Sequence, residues 1–536
     1  MLYNKQSAVK GDQSNTKQRG GTPINSIAKS GLTRRGFVKT SGALWVAAGF
    51  GALPAAAQPV KGGRLVVGMT GGAVSDTLDP RTFSSSGHAC VGFTIGNCLT
   101  EIEKDTELVG ELAESWESSA DAKTWKFNLR KGVTFHNGKE MTSADVIWSL
   151  NLHRGEGSTS GAKGLTGDIA DITADGPNAI VITLSKPNAD LPYLLSDFHM
   201  LIVAEGAEDF TAGVFTGPYQ VVEFNPGDSV ITTRNPNYWK AGRAHVDDVE
   251  ILFVEDRAAR INGLVTGELH MAQQIDEQAM SLIDQTPGVH IESHPSGGHS
   301  PILMHCDKAP FDNLDLRLAV KYAVDRQQIL DLLQGGVLGN DHPIPPQDPF
   351  YAADIPQRMY DPDKAAFHLK KSGFDGTLPL SINNVAMAKS EEFAASFQQS
   401  AGKAGLNIDV VREPSEGFWS EVWLKKPFMI GAWGGRPTAD IMLTSAYYSA
   451  APWNDSMWRR PEFDQIIDAA RGETDFAKRK QLYHDAQLMI HEDGGACITF
   501  FRNNIDGVRD GVKGFYPAAS FNMSGLRAVE RVWLEA

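Results

Sequence analysis

From residue 63 onward, stretches with the two-residue period of a strand alternate with stretches that carry the period of a helix, and this interleaving restricts the fold more than any other feature. Gly63-Arg64-Leu65-Val66-Val67-Gly68 reads as a strand that ends in the glycine turn Thr70-Gly71-Gly72. Residues 123–130 (KTWKFNLR) alternate polar and apolar, as a half-buried strand does. Thr142-Ser143-Ala144-Asp145 then opens a helix with a capping box, and Val146, Ile147, Leu150 and His153 follow on one side of it. A second helix is expected over residues 317–333, stopped by Gly335-Gly336. A third starts at Asp361-Pro362-Asp363, with a capping Asp and a first-turn Pro, and ends near Gly373. No repeat of fixed period and no long low-complexity linker interrupts the series. The pattern predicts an α/β protein with more than one sheet.

Length and charge bound the rest. At ~150 residues per domain the 536 residues make three or four folded units. The 42% apolar content builds real cores and argues against disorder. The net charge of −15 hides an asymmetry, because residues 1–57 carry eight Lys and Arg against Asp12 alone, which leaves −22 on the other 479. That acidic remainder argues against a general nucleic-acid binder. Within the basic segment, Thr33-Arg34-Arg35-Gly36-Phe37-Val38-Lys39 precedes an apolar stretch at 43–50 and then Pro54-Ala55-Ala56-Ala57. A charged region, a short apolar core and a small-residue cleavage site in that order make a secretory signal of the twin-arginine kind. The stretch is too short to serve as a membrane anchor. The expectation is a signal peptide over 1–57 and a mature chain that starts near Gln58, free in the periplasm.

Catalytic signatures are missing. No Gly-x-x-x-x-Gly-Lys-Ser/Thr loop is present, and Gly157-Ser158-Thr159-Ser160-Gly161 places Thr where a serine hydrolase needs its nucleophile. His294, His299 and His305, like His484 and His491-Glu492, lack the His-Glu-x-x-His spacing of a zinc site and read as scattered histidines. Cys90 with Cys98, or Cys306 with Cys497, are the pairs an oxidising compartment would allow; spacing establishes neither. Trp116, Trp125 and Phe127 read as core, and Asp325-Arg326 as an ion pair or a solvated helix face. No catalytic residue, metal ligand or cofactor is expected.

A colinear series of motifs carries a resemblance: Leu112-Ala113-Glu114-Ser115-Trp116-Glu117, then Trp125-Lys126-Phe127-Asn128-Leu129-Arg130 running to Thr142-Ser143-Ala144-Asp145-Val146, Thr216-Gly217-Pro218-Tyr219, Asn235-Pro236-Asn237-Tyr238-Trp239, Pro310-Phe311-Asp312, Val324-Asp325-Arg326 and Tyr360-Asp361-Pro362-Asp363-Lys364-Ala365. Through nearly all of its mature length the chain resembles the extracytoplasmic solute-binding proteins of the peptide, opine and nickel ABC importers (bacterial solute-binding protein family 5). The resemblance implies a two-lobed periplasmic-binding-protein clamp (type II, cluster C). Lobe I would be 58–297 plus 501–536, with an inserted subdomain at about 100–214, and lobe II would be 298–500. It implies a monomer that hinges shut on a small solute and delivers it to a membrane permease driven by separate ATPase subunits.

The ligand expectation rests on Phe428-Met429-Ile430-Gly431-Ala432-Trp433-Gly434-Gly435-Arg436-Pro437-Thr438-Ala439-Asp440, an apolar strand that runs into a glycine-rich turn. In peptide-binding relatives an Asp three residues after the corresponding Trp holds the peptide's ammonium group; here Arg436 stands at that position. A guanidinium repels an ammonium and grips a carboxylate or phosphate instead. Trp433 offers a stacking face, Asp440 is the candidate to supply the displaced acid, and Arg436 as a brace of the lobe interface is the bland alternative. The expected solute is peptide-like or opine-like with an anionic group. Two rivals are kept: a metal-chelate or haem scavenger of the same fold, and a secreted hydrolase.

Overall fold

The computed structural model describes residues 59–275, 277–384, 386–415 and 418–535. The leader over 1–57 lies outside the described residues. Among the described residues no helix is long and apolar enough to cross a membrane.

Among the described residues three large sheets, beside two of only two strands each, organise the chain. The largest runs, in spatial order, Val289–His299, Phe500–Arg509, Met271–Ala272, Arg64–Met69, Asp248–Phe253, Ser229–Arg234, Tyr219–Asn225, with Val337–Leu338 also paired to Phe500–Arg509. Its centre is parallel, since Arg64–Met69 pairs in parallel with both Asp248–Phe253 and Met271–Ala272; the flanking pairs are antiparallel. A four-stranded antiparallel sheet is built from Ala113–Ser118, Thr124–Leu129, Ala179–Leu184 and Ile169–Ala174. The third runs Asn407–Arg412, Thr377–Ile382, Phe428–Ile430, Ile302–Met304, Ala496–Cys497. The chain leaves the largest sheet after His299 to enter the third at Ile302, pairs briefly with the largest sheet again at Val337–Leu338, and returns to it between Cys497 and Phe500.

Side-chain patterns follow the exposure of each sheet. In Thr124–Leu129 only one face is covered, so Trp125, Phe127 and Leu129 are buried while Lys126 and Asn128 reach solvent. Ile302–Met304 is apolar throughout because both faces of its sheet are covered: Ile302 and Met304 join one core cluster with Leu316, Phe393 and Phe397, and Leu303 joins the opposite one with Met442, Phe463 and Tyr483. Each such side chain contributes roughly 2 kcal/mol by leaving water.

Helix ends obey the expected chemistry. Ser143–Asn151 begins at the predicted capping box, with the Thr142 amide donating to Asp145 at 2.7 Å. Pro362–Ser372 is capped by Asp361 and stops at Gly373, which takes the left-handed φ of 72° that a side chain disfavours. The single helix expected over 317–333 is instead two, Leu314–Ala323 and Arg326–Leu333. Val324 is extended, and Asp325 turns its carboxylate onto the Gln328 amide at 3.1 Å to start the second helix. Arg326 pairs with Asp341 at 2.6 Å, not with Asp325. All four cysteines are free thiols, with Cys90, Cys98 and Cys497 buried.

Candidate functional site

The loop that follows Phe428–Ile430 is fixed by its backbone. Trp433 exchanges both main-chain hydrogen bonds with His299, at 2.9 and 3.0 Å, which sews the loop to the end of the longest strand of the largest sheet. That strand bulges between Pro295 and His299. Gly297 in the bulge faces Gly435: a β-carbon on Gly297 would lie 3.1 Å from the Gly435 α-carbon, and one on Gly435 3.3 Å from the Gly297 nitrogen. Glycine is present on both sides because the two backbones touch.

Beside this contact lies a cavity of about 830 Å³, of a size for a small solute. One wall comes from the strands and loops of the largest sheet, including Gln274, Ser296, Arg502 and Asn522. The other comes from the third-sheet loops at 384–389 and 432–436. Four lining side chains are cationic, Arg257, Lys389, Arg436 and Arg502, and none of the described lining residues is Asp or Glu. Three helices also begin at the cavity: Ser86–Ile95, Arg257–Thr266 and Ser390–Lys403, the last with Lys389 at its N-cap. Their amino ends add partial positive charge to the same space.

Arg436 is half-buried with its guanidinium over the Trp433 ring, 5.4 Å from the centroid. Its polar contacts are the Gly434 and Gly435 carbonyls at 3.4 Å, and among the described residues no carboxylate lies within ion-pair distance. Burial lowers its pKa from the ordinary arginine value. Arg502 donates to Ser300 Oγ at 3.2 Å and to the Trp433 carbonyl at 3.1 Å, so it holds the loop from the opposite wall.

Of the three residues singled out in the sequence, Arg436 lines the cavity. Trp433 is 5% exposed, and its indole N–H donates to Asp455 at 2.8 Å; it supports Arg436 from below and offers the cavity little free face. Asp440 is turned away from the cavity. Thr438 caps the helix Ala439–Ala446 that carries it, and the Asp440 carboxylate meets Arg471 Nε at 3.3 Å and accepts a 3.4 Å bond from the Tyr483 hydroxyl. Burial raises its pKa to about 6, with Arg471 acting against the rise.

Asp506 has a role that sequence reading missed. Its carboxylate accepts from the Gln274 amide at 3.3 Å, the Met523 amide at 2.6 Å and the Asn522 side chain at 2.9 Å. Gln274, Met523 and Ser524 all have positive φ, between 53° and 54°. Non-glycine residues in that region carry strain and persist where surrounding bonds hold them. Asp506 thus pins two strained turns that present Gln274 and Asn522 to the cavity. The histidines do not converge: His299 is buried with Nδ1 on the Gly297 carbonyl at 2.9 Å, and burial brings its pKa down to about 4. Among the described residues no three His, Cys, Asp or Glu side chains are grouped to hold a metal.

Comparison with known proteins places the whole arrangement. The family described as bacterial extracellular solute-binding proteins, family 5, middle region, matches residues 107–455. The dipeptide-binding protein of Escherichia coli (strain K12) is 25% identical over 454 residues, covering 76% of this chain and 84% of that protein. The glutathione-binding protein GsiB of Pectobacterium atrosepticum is 27% identical over 468 residues, covering 83% and 90%. The structure of the PBP AgaA of A. tumefacien R10 in complex with agropinic acid superposes with a TM-score of 0.72 at 22% identity, covering 88% of this chain and 99% of that one. A family match over more than half of the chain, with the same fold along most of its length, makes this protein a member of the bacterial extracellular solute-binding proteins of family 5.

Proposed function

We propose that the protein captures a peptide-like or opine-like solute bearing an acidic group, and that Arg436 holds that group. The observation that carries this reading is the charge of the cavity. Four cationic side chains and three helix amino ends surround it, with no described acid among its lining residues, in a chain whose residues beyond the leader total −22. A guanidinium left without a carboxylate in a half-buried wall is stabilised when a ligand brings one. The dipeptide-, glutathione- and agropinic acid-binding relatives support the solute class. The metal-chelate or haem alternative has less support, since no described lining residue is His or Cys.

In this reading the protein is the substrate-binding component of an ABC importer, working as a monomer in the periplasm after export by the twin-arginine route, to which the signal peptide over 1–57 directs it. The lobes are 58–297 plus 501–536, with the subdomain at about 100–214, and 298–500. Membership of the sheets supports this division except at Val337–Leu338, a segment of 298–500 that pairs with Phe500 and Phe501 of the largest sheet, and the crossings after His299 and before Phe500 serve as the hinge.

The test is to release the solute that co-purifies with the native protein, identify it by mass, and titrate it back calorimetrically into native and Arg436→Glu protein. A hydrogen bond to a charged partner is worth about 1.5–3 kcal/mol, so losing it and adding repulsion weakens binding at least tenfold to a hundredfold. Unchanged affinity for an acidic solute would remove Arg436 from the site.

A further inference from the structure

Away from the cavity, the segments assigned to the two lobes meet at a second seam. On one side is the loop at 187–190, which follows the four-stranded sheet; on the other are the helices Pro461–Gly472 and Phe476–Asp493. The Ala189 amide donates to the Arg471 carbonyl at 2.8 Å. A β-carbon on Gly472 would lie 3.2 Å from Pro187 Cβ. Asp190 and Arg479 pair at 2.7 Å, with only 1% and 7% of their surfaces exposed. Arg471 faces Asp168 at 3.6 Å across the same seam.

Arg479 is held in place from its own side. It donates to the Ala470 carbonyl at 3.1 Å and the Tyr483 hydroxyl at 3.0 Å, and it lies over the Phe350 ring at 5.2 Å. Only Asp190 and its pairing arrive from the other segment, so that bond exists only while the two segments touch. Asp440 completes the arrangement. It sits four residues after Arg436, on the helix that the cavity loop leads into, and its carboxylate engages Arg471 and Tyr483, the neighbours of the Asp190 pair.

We propose that Asp190 and Arg479 form the latch of the closed clamp, and that Asp440 with Arg471 couples the position of the Arg436 loop to it. This rests on the two-lobed reading given above. None of Asp168, Asp190, Arg471 or Arg479 lines the cavity; they are positioning residues that act on affinity through closure. A buried ion pair suits a reversible latch. The attraction gained on closing is largely offset by stripping water from both charges, so the closed state is favoured modestly while its geometry is tightly specified. Removing one partner is different, because the other charge must then be buried alone whenever the lobes close.

The experiment needs no solute. Pro187→Cys with Gly472→Cys, in the full chain, places two β-carbons 3.2 Å apart, a few tenths of an ångström inside the separation of about 3.5–4.5 Å that a disulfide spans. The rate of their oxidation by diamide, an uncharged thiol oxidant, in solute-free protein, read on non-reducing gels, reports how often the seam closes. We expect bond formation in the otherwise native background and at least tenfold slower formation with Asp190→Asn. Asp190→Leu combined with Arg479→Met, which leaves no buried charge unpaired, should recover the rate to within about threefold. Equal rates with and without Asp190→Asn, no recovery in the paired variant, or no bond formation in the native background would each overturn the latch. Because neither an acidic oxidant nor a solute is added, a failed assignment of Arg436 leaves the outcome interpretable.

Discussion

Replacing Arg527 by Met should loosen the carboxyl-terminal segment from the body of the protein. Arg527 is 2% exposed and reaches Glu111 with two bonds, at 2.7 and 3.0 Å, while its guanidinium covers the Phe93 ring at 3.9 Å. Around it, Glu101, Glu111 and Glu530 are balanced by Lys240, Arg527 and Arg531: Lys240 pairs with Glu101 at 2.5 Å and Glu530 at 2.9 Å, and Arg531 pairs with Glu101. Taking out Arg527 leaves the cluster with one unmatched negative charge in a dry interior. Breaking a buried pair from one side costs about 3–5 kcal/mol, and the lost ring contact adds about 1. We expect the amides of Ala528–Arg531 to exchange hydrogen faster by about a thousandfold, since 1.4 kcal/mol is a factor of ten. Adding Glu111→Gln should recover more than half of the loss, because the uncompensated charge is then removed. The pH dependence has a definite sign. Burial pushes the Glu101 carboxyl up, but Arg527, Lys240 and Arg531 outweigh it and hold the pKa below its ordinary 4.5. A depressed carboxylate stabilises the native state above 4.5, and that contribution is lost as the pH falls, so native protein should lose more stability on acidification than the Met variant. Acceleration below tenfold at neutral pH, or a double variant as labile as the single, would refute the charge-balance reasoning.

Three further outcomes follow from the same structure. Asp506→Ala removes the acceptor shared by Gln274, Met523 and Asn522, and calorimetry should show solute affinity falling at least tenfold; unchanged affinity would mean the turns hold without it. Asp455 is pushed up to about 7 by burial, against the Trp433 and Trp423 indoles that bond to it. A raised carboxyl favours the native state at low pH and loses that contribution as the pH rises from about 4 through 7, so Asp455→Asn should reduce the fall in thermal midpoint between pH 5 and pH 8, and an unaltered slope would contradict this. Arg34→Lys with Arg35→Lys should keep the protein out of the periplasmic fraction; normal export of that variant would discard the twin-arginine assignment.

Local chemistry was the readable part of the sequence. The Thr142 capping box, the Asp361-Pro362 helix start and the alternation around Trp125 depend on neighbours within a few residues, and each appears where it was expected. The break at Val324 was not readable because helical periodicity continues across it, and only the Asp325 side chain on the Gln328 amide ends one helix and starts another. Arg436 was visible as a cation in a glycine-rich turn. Asp440, four residues on, could not be oriented from sequence, since its partners Arg471 and Tyr483 arrive from distant helices. Arg257, Lys389 and Arg502 were missed for the same reason: the topology gathers them from three separate stretches of chain. The available signal for Arg502 was its place in the strand Phe500–Arg509, where a charge directly follows two buried phenylalanines at the crossing between sheets.

Whether the cavity reads an acid is decided by calorimetry of the co-purified solute against the same molecule with its acidic group capped as an amide. Capping is expected to weaken binding to the native protein by tenfold or more, and the two compounds should differ far less in Arg436→Gln protein. Equal affinity of the native protein for the free and the capped forms would contradict that expectation.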